Sequence, residues 1–145
     1  MKLTILRNEL NESIQHVSKA ISSRTTIPIL SGIKLDVTST GVTLTASDTD
    51  ISIQSFIPLE TPEGTIGTVE RTGSVVLSAK FFVEIVKKLP HEEVHIQVDE
   101  RFQTMITSGA TDIQLVGLDP EEFPVLPSIS EDQMFSIPGD LLRDM

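Results

Sequence analysis

GSVVLSAKFFVEIVKKLP, residues 73–90, is the stretch that decides the fold. Val75, Val76 and Leu77 form a short β-branched strand, and Ser78 stands where a helix N-cap belongs. Phe81, Phe82, Ile85 and Leu89 then recur at helical spacing, and Pro90 stops the helix. The same pattern opens the chain. Leu6, Leu10 and Ile14 match Leu77, Phe81 and Ile85 at an offset of 71 positions, and Ile137, Leu141 and Met145 match them again at an offset of 60. A strand that runs directly into a helix and recurs in this way marks a supersecondary unit used more than once. The third occurrence reaches Met145 before its helix can be complete, so the chain is expected to break off inside a repeat.

Outward from that stretch, residues 2–6 read as a strand and roughly 8–21 as a helix with Leu10, Ile14, Val17 and Ile21 on its apolar stripe. Glu12, Gln15 and Lys19 fall on the opposite face. Residues 32–37 and 42–46 alternate as strands around the turn Ser39-Thr40-Gly41, and 51–57 alternates again. Residues 60–73, with Pro62, Gly64, Gly67 and Gly73, read as a long crossover loop. The second half replays the first, with strands at 94–98, 102–108 and 111–116. Thr49-Asp50-Ile51 and Thr111-Asp112-Ile113 look like the same strand start in the two halves. The fold class is therefore α+β: a duplicated βαβββ unit with two helices packed on one side of antiparallel sheets. Residues 118–130, with three prolines, read as a linker, which sets domain boundaries at 1–128 and 129–145. A pseudo-twofold would lay the helices side by side and end each half in an edge strand, open to pairing with another chain.

Composition narrows the functional classes. The 145 residues contain 39% hydrophobic residues, enough to fill one core, and no cysteine, which excludes disulfides and thiolate metal sites and suits a cytoplasmic location. The first residues are too charged for a signal peptide, and no apolar run is long enough to span a membrane. Tyrosine and tryptophan are absent, which argues against an aromatic base-stacking surface. A net charge of −10 argues against a generally basic nucleic-acid binder, though not against a protein whose few cations gather on one face.

MKLTILRNELNESIQHVSKAIS at 1–22, SSRTTIPILSGIKL at 22–35, TASDTDISI at 45–53 and SAKFFVEIVKKLP at 78–90 together resemble the bacterial DNA polymerase III β sliding-clamp family, in its Gram-positive form. Residues 1 to about 128 are similar to its first domain, and 134–145 to the opening of its second. The resemblance implies the DNA-clamp fold and a head-to-tail homodimeric ring of three domains per subunit. Helices line a hole around double-stranded DNA, and sheets form the outer wall. Such a ring is a non-catalytic processivity factor that tethers the replicative polymerase, is placed by a clamp loader, and needs no cofactor. Its peptide-binding pocket lies mainly between the second and third domains.

The resemblance assigns roles residue by residue. Arg24 matches an arginine that touches DNA phosphate. Lys19 and Gln15 on the first helix, and Lys80 and Lys87 on the second, turn away from the apolar stripes and are candidate DNA contacts. Lys88 lies close by, and Glu12 and Glu84 share those faces. Each neutralised phosphate contributes a salt slope of about −0.9, so such contacts are weak, sequence-blind and salt-sensitive. Ile113 and Leu115 match apolar residues of the strand that joins the partner subunit, and Lys80 matches a lysine near that interface. Ala110 and Asp112 stand where some relatives carry arginines.

Two rival classes stand beside this one. His91-Glu92-Glu93-Val94-His95 satisfies H-E-x-x-H, the signature of a zinc hydrolase. That chemistry needs both histidines one helical turn apart, yet Pro90 has ended a helix and 94–98 alternates as a strand. Four strand steps separate the histidines by about 13 Å. The second rival is an edge-pairing scaffold module with no nucleic-acid role. Asp48-Thr49-Asp50 reads as a solvated turn rather than a magnesium pair, and neither a serine-histidine triad nor a glycine-rich phosphate loop is discernible.

Overall fold

In a computed structural model of the chain, the described residues are 1–21, 32–47 and 51–123. Strand β1 (Lys2–Leu6) runs straight into helix α1 (Arg7–Ser18), followed by β2 (Gly32–Val37), β3 (Gly41–Ser47) and β4 (Ser52–Pro58). A connecting segment holds β5 (Glu60–Thr61), β6 (Gly64–Thr65) and β7 (Gly67–Arg71). The second unit is β8 (Gly73–Ser78), α2 (Ala79–Lys88), β9 (Glu93–Val98), β10 (Gln103–Ser108) and β11 (Thr111–Val116). The βαβββ unit is thus present twice, in chain order.

The units exchange their first strands. One sheet has the order β11-β10-β9-β1-β7, the other β4-β3-β2-β8. Strand β1 pairs with β9 of the second unit, Leu3 opposite Ile96, and β8 pairs with β2 of the first, Ile33 opposite Leu77. Neither half can complete its sheet without the other. Inward-facing residues of both sheets and both helices form a single core, in which Leu3, Ile5, Leu10, Ile14, Leu35, Leu44, Leu77, Phe82, Val86 and Ile96 are almost wholly buried. Helix α1 lies over β3 and β4, α2 against β2 and β8, and the two helices touch.

Burial corrects the register of the repeat. Phe82 answers Leu10, Val86 answers Ile14 and Leu89 answers Val17, each 72 positions on, and Leu3 and Ile5 answer Val75 and Leu77 at the same spacing. The offset of 71 placed Phe81 in the core, but Phe81 is 55% exposed. With two adjacent phenylalanines at the start of α2, the apolar pattern alone permits either phase, and β8 decides it by delivering Ala79 to the buried side.

Two further expectations change. Residues 60–73 are not a bare crossover loop: β5 and β6 form a small hairpin, and β7 adds to the free side of β1, with Leu3 opposite Val69. Glycines dominate the local signal there, and only Ile66 and Val69 of the stretch pack against the main core, so the tertiary partner makes the strand. Residues 118–130 do not begin as a free linker, because Leu118 pairs with Val76 and Phe123 is 2% exposed. The remainder of that stretch, the third repeat at 134–145 and the turn 48–50 lie outside the described residues.

Candidate nucleic-acid interface

The two helices are joined at their ends by a single side chain. Arg7, the first residue of α1, gives Nη1–H to the carbonyl of Leu89, the C-cap of α2, at 2.6 Å. A guanidinium at a helix C-terminus meets carbonyls left without intrahelical partners and the negative end of the helix dipole. The Arg7 backbone N–H in turn bonds the carbonyl of Glu92, also 2.6 Å. No side chain caps either helix: Ser78 occupies the N-cap position of α2, but its hydroxyl makes no capping bond. Strand and helix are continuous at both starts, and the Glu92 carbonyl from the opposite unit takes the first N–H of α1.

Away from the core, α1 presents Asn8, Glu12, His16 and, at its C-cap, Lys19. Helix α2 presents Lys80, Phe81, Glu84, Lys87 and Lys88. Residues 7–19 and 79–88 together hold five cations against three carboxylates, in a chain of net charge −10. The pairing of these cations also differs from that of the sheet lysines. Lys2 meets Glu70 at 3.2 Å and Lys34 meets Asp36 at 3.6 Å, whereas Lys19, Lys80 and Lys87 make no ion pair among the described residues. Lys88 approaches Glu84 at 3.9 Å, with both side chains largely in solvent, a contact worth little. The helical side therefore carries unneutralised positive charge, and most acids lie elsewhere.

Each candidate can now be placed. Lys80 and Lys87 are exposed on α2, two turns apart on one face, and Lys19 is exposed just past the last turn of α1. Gln15 is only half-exposed, and its Nε2 is buried without a hydrogen-bond partner among the described residues, as is Oδ1 of Asn11 one turn earlier. That amide is turned inward rather than toward solvent. Arg24 lies outside the described residues. Ile113 and Leu115 share one face of β11, half-buried against the core, while Val116 beside them is 78% exposed. Strand β11 is the outermost strand of its sheet and, among the described residues, pairs only with β10.

Two features escaped the sequence reading. The Arg7 link is invisible without the tertiary fold, since nothing local pairs residue 7 with residue 89. The exposure of Phe81 was detectable in principle from the 72-residue alignment, which sets it against the polar Glu9.

The HEEVH stretch does not form a metalloprotease site. Glu93 to His95 lie in β9, not in a helix. His91 packs over Gly109, and His95 Nδ1 is hydrogen-bonded to Thr4 Oγ1 at 2.8 Å. The shallow cleft there, about 470 Å³, is lined by His91, Glu92, Glu93, His95 and Gly109. Among the described residues no group of three histidine or carboxylate side chains could hold a metal.

A duplicated α+β domain with paired helices before two antiparallel sheets is the architecture of the DNA-clamp class. Residues 1–127 match the family described as DNA polymerase III beta subunit, N-terminal domain. The beta sliding clamp of Bacillus subtilis (strain 168) is 52% identical over all 145 residues, and that of Staphylococcus aureus (strain N315) is 43% identical. The chain spans 38% of the length of either. The crystal structure of the DNA polymerase sliding clamp from Bacillus subtilis superposes with a TM-score of 0.96 at 53% identity, covering 99% of this chain and 38% of that one. The beta subunit of Streptococcus pyogenes DNA polymerase gives 0.90 at 34%, covering 99% and 37%. The chain belongs to the DNA polymerase III beta subunit family.

Proposed function

We propose that this chain is the first domain of a sliding clamp, a cytoplasmic processivity factor that encircles double-stranded DNA and holds the replicative polymerase on its template. It is a tether and not a catalyst. The observation that carries the proposal is the charge asymmetry: Lys2 and Lys34 on the sheets are paired with acids, whereas Lys19, Lys80 and Lys87 on the helices make no ion pair among the described residues and Lys88 makes only a solvent-exposed one. Lys19, Lys80 and Lys87 would face phosphates, with Arg24 as a further contact; Gln15, its amide turned inward, is left out of the interface. Isolated lysine heads suit a ring that must slide, since each meets phosphate as a point charge with no sequence information.

In the full-length homodimer, β11 would add to a strand of the partner's last domain, with Ile113 and Leu115 filling the apolar side of the joint and Lys80 at its rim. An antiparallel sheet margin with neither lysine nor proline on it is built for such addition. The clamp loader and polymerase would act on the assembled ring. The test uses the full-length protein with Arg24, Lys19 and Lys87 changed to alanine, measuring retention on closed circular duplex across a salt series. Each lost phosphate contact should reduce the slope of log affinity against log salt by about 0.9. Equal slopes for both proteins would remove these residues from the interface.

A further inference from the structure

Strand β8 is the margin of the four-stranded sheet, and its Val76 is an exception on the outer face. Ser74 and Ser78 share that face and are polar, yet Val76 is fully buried. Its cover is Phe123, and the two form an apolar cluster separate from the main core. The Leu118 N–H donates to the Val76 carbonyl at 2.8 Å, and the Val76 N–H returns a bond to the Leu118 carbonyl at 3.1 Å. Between these two holds the chain makes one tight turn: Pro120–Glu122 is a single 3-10 turn, with Asp119 Oδ1 accepting from the Glu121 N–H at 2.9 Å. That turn brings Phe123 back over Val76. Lys34 stands opposite Val76 across the strand pair, its ammonium meeting Asp36 at 3.6 Å, and the seated segment carries Asp119, Glu121 and Glu122.

We infer that the β8 margin is a strand-addition site for a Leu-Asp-Pro-Glu-Glu-Phe segment, occupied in cis by residues 118–123 and open to the same segment of a second copy once the cis hold is released. Backbone pairing at Val76 supplies the generic attraction, and the phenylalanine seat supplies the selectivity, the division of labour seen whenever an extended peptide augments a sheet. The tether keeps the margin closed: a covalently attached segment acts at an effective concentration in the millimolar range, so a free copy competes only when the attached one is weakened. The inference is independent of DNA binding, because none of these residues lies on the helices.

The test is a fluorescent peptide carrying residues 116–124, titrated by anisotropy into the unsubstituted chain and into Phe123→Ala. The peptide should bind Phe123→Ala about tenfold or more tightly than the unsubstituted chain. A peptide with its own phenylalanine changed to alanine should show no saturable binding. Equal affinity for both proteins, or no binding to Phe123→Ala, overturns the inference. Should Phe123→Ala fail to fold, the unsubstituted chain is used with a spin-labelled peptide in millimolar excess. The amide resonances of Val76 and Lys34 should then broaden, and unperturbed resonances overturn the inference.

Discussion

Arg7 and Gly109 show how much of this domain rests on single positions. Arg7 closes the C-terminus of α2 from the start of α1, so Arg7→Ala should lower stability by about 1–2 kcal/mol, a charge-assisted bond discounted for partial exposure. Urea denaturation measures the change. Gly109 opens the β10–β11 turn at φ +59, and an added Cβ would sit 2.0 Å from Cδ2 of His91. Gly109→Ala therefore meets backbone strain and a ring at once, and should cost more than about 1 kcal/mol. Adding His91→Ala should recover the steric part alone. The neighbouring Ser108 accepts the His91 backbone N–H at 3.1 Å, which ties the entry of β9 to the turn that leads into the margin strand β11.

At the level of elements, the two phenylalanines of α2 separate packing from presentation. Phe82 is wholly buried, and Phe82→Ala should cost about 3–5 kcal/mol, whereas Phe81→Ala should change stability by less than about 0.5 kcal/mol. Thermal or chemical unfolding of the two variants checks the phase of the helix directly. The elements whose own residues specify them were legible in advance. Strands 32–37 and 111–116 matched to the residue, because alternation and turn residues bound them on both sides. Helix α1 begins one residue before the expected start and ends at Ser18, since Lys19 and Ala20 already belong to its closing turn. What stayed hidden depends on a partner far along the chain. Strand β7 exists because β1 offers it a free side, residues 118–123 are seated because Val76 needs cover, and the exchange of β1 and β8 leaves no local trace. Among the site residues, the exposure of Lys80 and Lys87 followed from helical spacing. The inward turn of the Gln15 amide did not, because it depends on what surrounds α1 rather than on α1 itself.

For the whole molecule, exchange of first strands makes the duplicated units a single cooperative body. Leu10→Ala in the first unit should therefore lower the unfolding midpoint reported from strands of both units alike, by about 3–5 kcal/mol in stability. Separate transitions for the two sheets would contradict a shared core. The same arrangement sets two helices beside each other as one face and leaves β4 and β8 at the margins of one sheet and β7 and β11 at those of the other. The most direct measurement is topological. The full-length subunit, placed on nicked circular duplex by its loader, should stay bound through dilution and leave when the circle is cut once with a restriction enzyme. Equal loss from circular and linearised DNA would mean that the protein holds duplex by contact alone and encircles nothing.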